Sequence, residues 1–307
     1  MLNLKNKILQ IFAQHEQNKS PEAETNLILF SVFRNKYQGI RKISDLFTER
    51  STSRFPVTQE ITDAAMKIAQ ERIKGIPLQY IIGNQFFFEH DYTVNSHVLI
   101  PRPETEILIN HVIDYVKKTF KTSPFRFAEL GLGSGILSTE ILFHFKSAIG
   151  LASEVNPQAI AIARQNLDTI VGSGNWEERF SIIEPGDSHV GFEIFEDYRP
   201  MDLVISNPPY LSVNDEIDAE VLRYEPHTAL FPMLGGSNEG EKENPSFFYE
   251  NFLHHHKKIL KPEGTAFFEI PHERAESLIH EFKNAGFFNV NLISDLTGRS
   301  RILVAKR

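Results

Sequence analysis

The chain has 307 residues, 41% hydrophobic and 23% charged, which excludes wholesale disorder and a collagen-like repeat and suits one large domain or two modest ones. It holds no cysteine, so disulfides, thiolate zinc sites, iron–sulfur clusters and a cysteine nucleophile are excluded. The formal net charge of -8 argues against a protein that grips nucleic acid chiefly through phosphates.

Residues 1–85 read as a small helical bundle and form the first expected domain. They carry 12 Lys+Arg against 8 Asp+Glu, whereas the remainder carries 20 against 32, so the front piece suits a partner with an acidic surface. Its opening, MLNLKNKILQIFAQHEQNKS, has no small-residue cleavage site after an apolar block and predicts an amphipathic helix instead of a signal peptide. No stretch has the apolar length needed to cross a bilayer, so a cytoplasmic protein without a membrane partner is expected. Ser20-Pro21 reads as an N-cap and first helical position, with Glu22 and Glu24 in the first turn and Leu27, Leu29, Phe30 and Phe33 available for packing. A further helix is predicted from about Thr58 to Lys74, with Ile61, Ala65, Ile68 and Ile73 on one face and Gly75 as its stop.

Residues 86–100 read as a β-hairpin linker. Phe86, Phe87, Phe88, Tyr92, Val94, Val98 and Leu99 favour strand, and His90-Asp91 is placed to turn it. Pro101 and Pro103 end the linker, and a helix opens at Glu104. Residues 101–307 form the expected second domain. Strands at 127–130, 148–154, 181–184, 202–206, 265–270, 290–293 and 301–305 alternate with helices at 136–145, 157–170, 247–260 and 273–285. The alternation predicts an α/β fold, a mostly parallel seven-stranded sheet covered by helices on both faces. Ligands of such sheets bind beyond the C-terminal strand ends, where the strand order reverses.

Three motifs fall at such ends. Directly after the first strand of the sheet, Glu129-Leu130 leads into Gly131-Leu132-Gly133-Ser134-Gly135. These glycines let the backbone turn tightly and approach a ligand, and the amides opening the next helix point to the same place. The pattern is G-x-G-x-G, not the dinucleotide G-x-G-x-x-G, and no Lys-Ser/Thr follows to make a P-loop. An acid before three alternating glycines is typical of S-adenosylmethionine sites, although a plain tight turn uses the same residues. Glu154 ends the next strand, where a carboxylate accepts ribose hydroxyls; an exposed strand-end acid is the other reading. Asn207-Pro208-Pro209-Tyr210 follows the strand run DLVIS without a gap. Two prolines force the chain out of the sheet and stiffen it. The corner offers a carboxamide, the Pro208 carbonyl and the Tyr210 ring, a set suited to a planar –NH2 group; a simple strand-ending turn is the alternative.

Other candidates are weaker. His254-His255-His256 sits on a predicted helix, where consecutive side chains diverge, so a partly solvated face is a better reading than a metal site. With no H-E-x-x-H, metal catalysis is not expected, and no G-x-S-x-G elbow supports a hydrolase. Arg299 and Arg301 read as part of a terminal turn and strand.

Taken together, Gly131–Gly135, Glu154 and Asn207–Tyr210 resemble the HemK/PrmC-type glutamine methyltransferases that modify peptide chain release factors. The resemblance runs from about residue 20 to the end. It includes Pro77–Gly83, the block Ile100-Pro101-Arg102-Pro103-Glu104-Thr105-Glu106, Tyr224-Glu225-Pro226 with Ala229–Phe231, and Gly298–Arg301. It implies a helical substrate-docking domain, a hairpin linker and a Rossmann-like S-adenosylmethionine-dependent methyltransferase domain. It implies S-adenosylmethionine as donor, S-adenosylhomocysteine as product, and a release factor's Gly-Gly-Gln glutamine as acceptor, with no stable nucleic acid partner. On this resemblance Gly131, Leu132, Gly133, Ser134, Gly135 and Glu154 hold the donor, Asp187 and Ser188 meet its adenine, and Asn207, Pro208, Pro209 and Tyr210 take the glutamine amide. Asn207, Pro208 and Tyr210 are the expected catalytic residues. Glu129 and Glu154 stand where the family usually has aspartate, and Ser188 where a large apolar residue is common. The polar loop Gly235–Pro245 is longer than the family's usual one. Two further readings share the corner motif. One is an amino methyltransferase acting on a flipped adenine or cytosine, which the negative charge disfavours; the other is a non-catalytic adaptor, which the intact corner disfavours.

Overall fold

The computed structural model describes residues 1–14, 20–48, 54–185, 191–232 and 244–307. It divides into two compact units, residues 1–84 with 219–224, and residues 85–218 with 225–307.

In the first unit, helix Leu2–Ala13 turns Leu4, Ile8 and Phe12 inward at four-residue spacing. Helix Pro21–Lys36 opens behind Ser20, with Glu22 and Glu24 in its first turn and Arg34 and Lys36 in its last, charges that suit the helix dipole. It buries Ile28, Leu29, Val32 and Phe33. Leu27, expected among the packing residues, is 37% exposed, because the inward stripe runs one position later through Ile28 and Val32. Helix Gln59–Arg72 starts on Thr58, whose hydroxyl accepts the Ile61 N–H at 3.3 Å, and the chain breaks away at Gly75, φ +89°. It buries Ile61, Ala65 and Ala69, and Ile68 and Ile73 pack partly buried against the same cluster. Arg72 grips both oxygens of Glu24, at 2.9 and 3.0 Å, and reaches Glu220 at 2.6 Å. Through that last bond and the Tyr224 hydroxyl, which donates to the Lys74 carbonyl, helix Ala219–Tyr224 joins this unit.

The hairpin consists of β1 (Asn84–Phe87) and β2 (His90–Thr93). Its turn falls at Phe88–Glu89, with Phe88 at φ +56°, and not at His90-Asp91 as expected. His90 and Tyr92 share one face of β2 and both bond the buried Glu140 Oε1, at 3.0 and 2.7 Å, which holds residues 90–92 extended. Val94, Val98 and Leu99 lie beyond the strand.

Seven strands form the main sheet: β3 (Phe125–Leu130), β4 (Ala148–Ser153), β5 (Phe180–Ile183), β6 (Met201–Ser206), β7 (Leu260–Glu269), β8 (Asn289–Ser294) and β9 (Ser300–Lys306). Their order is β5-β4-β3-β6-β7-β9-β8. The first five pair in parallel, and β9 runs antiparallel between β7 and β8, so the sheet is mostly parallel, as the alternation predicts. Successive residues feed opposite cores. Phe127, Leu203, Ile205 and Phe267 face the helices Pro103–Thr119, Ile136–His144 and Pro157–Leu167, while Ala128, Val204, Ala266 and Phe268 face Phe247–Ile259 and Ala275–Asn284. From β3 the chain proceeds to β4 and β5 on one side, then returns to β6 and β7 on the other. The order therefore reverses at β3, and a crevice opens beyond its C-terminal end. Among the described residues no helix is long and apolar enough to cross a membrane.

Candidate active site

Above that crevice Gly131, Gly133 and Gly135 take φ of +76°, +54° and +81°, a region that side chains disfavour. The three serve different purposes. A Cβ on Gly131 or Gly133 would meet nothing within 4 Å, because both face open pocket space. A Cβ on Gly135 would come 3.1 Å from the Ala163 Cβ, so that glycine lets two helices close together. The Gly131 and Leu132 amides donate to the Ser153 carbonyl at 3.0 and 3.1 Å, and the Ser134 carbonyl accepts from Asn166 Nδ2 at 2.8 Å, which ties the loop to β4 and its helix.

Glu154 stands one residue beyond β4. Its Oε2 accepts the Gly133 N–H at 2.8 Å and its Oε1 the Asn156 N–H at 2.9 Å, so each oxygen keeps further lone pairs for a ligand. Burial pushes its pKa up, against the pull of these amides. Glu129 is buried in β3, where Oε2 accepts the Ser138 N–H at 3.0 Å and bonds the Ser138 hydroxyl; burial raises it to about 8.

Asn207 leaves the end of β6. Its Nδ2 donates to Thr105 Oγ1 at 3.3 Å, and Thr105 donates on to Glu269 Oε2 at 2.9 Å. Tyr210 donates its hydroxyl to Glu269 Oε1 at 3.3 Å, and its own pKa is raised, first by burial and then by that carboxylate. Glu269, at the end of β7, is raised to about 7, mainly by burial.

One pocket brings most of these residues together. Gly131, Leu132, Gly133, Ser134, Glu154, Asn207, Pro208 and Pro209 line it, along with Glu129, Thr105, Val98, Leu99, Thr228, Ala229 and Phe248. Tyr210 is not in the lining; it packs half-buried against the core behind the corner. Asp187, Ser188 and most of the Gly235–Pro245 loop lie outside the described residues. The histidine run diverges: His254 is exposed, His255 bonds Glu196 at 2.6 Å, and His256 is buried on the Leu253 carbonyl at 2.7 Å. The run is thus partly solvated, as expected, with His256 its buried member. Among the described residues no group of three or more His, Asp or Glu is placed to hold a metal.

Sequence reasoning gave Thr105, Glu269 and Arg301 no part in the site. Arg301 bonds Asp295 at 3.0 Å and acts electrostatically on both Tyr210 and Glu269. The one available signal was a carboxylate closing the apolar run Ala266-Phe267-Phe268 at a C-terminal strand end.

No family model matches the chain. It is similar to a bifunctional methyltransferase of Rickettsia bellii, 27% identical over 316 residues, covering 94% of this chain and 52% of that protein. It is also similar to the release factor glutamine methyltransferase of Aquifex aeolicus, 31% identical over 254 residues and 82% of each chain. The chain thus spans about half the length of the bifunctional relatives it matches. Among solved structures, human methyltransferase-like protein 13 in complex with SAH aligns with a TM-score of 0.44 and 18% identity, over 66% of this chain and 80% of that one.

Proposed function

Since this chain belongs to the release factor glutamine methyltransferase family, we propose that it methylates the side-chain amide nitrogen of the glutamine in a release factor's Gly-Gly-Gln motif, with S-adenosylmethionine as donor. The observation that carries the reading is the shared pocket: Asn207 and Pro208 stand in the same wall system as the glycine loop and Glu154.

The residues present fit the donor. Gly131 and Gly133 leave a cradle that a Cβ would fill, Glu154 offers carboxylate lone pairs suited to ribose hydroxyls, and Val98, Leu99, Leu132 and Phe248 supply apolar wall. When bound, S-adenosylmethionine supplies a methyl group on a positively charged sulfur. The chain's own task is to make a poor nucleophile reactive, because an amide lone pair is delocalised into its carbonyl. With Nδ2 of Asn207 committed to Thr105, Oδ1 is the edge left to accept. Asn207 Oδ1 and the Pro208 carbonyl each accept one hydrogen of the glutamine –NH2, which fixes its plane and aims the nitrogen lone pair. The contribution is orientation and preorganised dipoles, and the surplus proton goes to water. We assign release-factor docking to residues 1–85, whose positive balance suits an acidic partner surface, the linker role to 86–100, and methyl transfer to 101–307.

The test is incubation with labelled S-adenosylmethionine and, separately, a release factor, its Gln-substituted variant and nucleic acid. Label on the unmodified factor alone supports the reading. Label on nucleic acid favours an exocyclic-amine methyltransferase, and donor binding without transfer favours an adaptor.

A further inference from the structure

Glu269 is 2% exposed at the end of β7, yet its carboxylate is met by hydroxyls. Thr105 donates to one oxygen at 2.9 Å and Tyr210 to the other at 3.3 Å, while Tyr249 donates to its main-chain carbonyl at 2.9 Å. Thr105 has a single hydroxyl proton. With that proton given to Glu269, it offers Asn207 only lone pairs. Asn207 accordingly meets it with Nδ2, at 3.3 Å. A carboxamide held by its NH2 edge has its oxygen edge turned away, and Asn207 and Thr105 both line the pocket. The chain of bonds therefore has a direction, and its far end sets that direction: the carboxylate accepts, the hydroxyl relays and the amide donates.

We propose that Glu269 is a positioning residue, which through Thr105 fixes the Asn207 carboxamide with its oxygen towards the pocket and through the Tyr210 hydroxyl fixes the ring behind the corner. This deepens the amide-methylation reading and rests on it for its catalytic consequence. Were the far end a donor, the Thr105 hydroxyl would turn round, its proton would face Asn207, and the asparagine oxygen would be drawn away from the pocket. Protonated Glu269 is such a donor. Burial and Glu104 favour its protonation; Thr105, Tyr210 and Arg301, itself bonded to Asp295, favour its charge. Burial raises its pKa to about 7, so a response of the Asn207 amide to pH near neutrality is the expected consequence when the proton sits on the oxygen that faces Thr105.

The experiment uses the full chain and needs no acceptor substrate for its first part. Side-chain amide NMR follows the Asn207 Nδ2 protons, identified by their loss in Asn207→Ala. In the wild type they shift with pH around neutrality. In Thr105→Val they exchange with water about ten-fold faster or more, and Thr105→Ser restores the wild-type signal. In Glu269→Gln the shift with pH disappears. An unchanged Asn207 signal in Thr105→Val, or a pH shift retained in Glu269→Gln, overturns the proposal. The second part reads methyl transfer to a release factor. Thr105→Val and Glu269→Gln are expected to lower kcat about 10–100-fold, the scale of a misplaced reacting group, with the donor KM little changed and activity rescued by Thr105→Ser. Losses that track only the folded fraction, without rescue, mark a structural role and overturn it. If the wild type transfers no methyl to the factor, the functional reading fails while the amide signal still decides this one.

Discussion

Arg102 and Glu225, 123 residues apart, are bonded at 2.5 Å, and the second oxygen of Glu225 accepts the Ile100 N–H at 3.1 Å. The Glu225 side chain is 2% exposed and Arg102 33%. The pair joins the segment leading into helix Pro103–Thr119, which carries Thr105, to the segment carrying Thr228 and Ala229. Two of the blocks that mark the family resemblance thus both contribute to the lining of one pocket. Arg102→Ala leaves a buried carboxylate with one amide partner. We expect it to destabilise the protein by about 1–3 kcal/mol in urea unfolding, less than a fully buried pair because Arg102 is partly solvated. Adding Glu225→Gln should recover part of the loss.

The glycines separate binding from folding. Gly131→Ala puts a methyl into the pocket and strains a positive φ. It is expected to weaken S-adenosylhomocysteine binding at least ~10-fold by calorimetry while costing about 1–2 kcal/mol of stability. Gly135→Ala drives its methyl against Ala163; its larger effect should be on the thermal midpoint.

Removing the carboxamide removes the proposed grip on the acceptor. Asn207→Ala should lower kcat by about 10²–10³ and leave the donor affinity close to wild type. Turnover near the wild-type rate in a labelled-methyl assay would contradict the role given to Asn207.

Glu129 and Glu269 also make stability depend on pH. Their pKa values of about 8 and about 7 lie above the ordinary 4.5, so in that window the folded chain keeps protons that the unfolded chain has released. Each contribution is therefore fully favourable below 4.5 and is lost as pH rises through the folded value, by roughly 5 kcal/mol for Glu129 and roughly 3 kcal/mol for Glu269. Urea midpoints measured from pH 5 to 8 should fall, apart from contributions of other groups, and Glu129→Gln should flatten the slope. Equal slopes in the two proteins would sink the assignment for Glu129.

What the sequence disclosed was local. The run DLVIS followed by two prolines states a strand and its forced exit, and β6 ends at Ser206 as that run implies. The glycines state a tight turn, and all three take positive φ in making it. The hairpin turn was misplaced because strand propensity cannot tell a turn from its flank; what keeps His90 extended is Glu140, 50 residues away. The same holds for Glu269. Its meaning comes from Thr105, 164 residues away, and from Tyr210, 59 away, and neither distance leaves a periodic trace. Short helices such as His227–Leu230 were invisible because four residues carry too little pattern.

Helix Ala219–Tyr224 is encoded between the proline corner and Glu225, yet it is counted with the amino-terminal unit, pinned there by Arg72 and the Lys74 carbonyl. No single cut of the polypeptide can therefore separate the two units. A fragment beginning at residue 85 would carry this helix without Arg72 and Lys74, on the same stretch of chain that runs on to the pocket-lining Thr228 and Ala229.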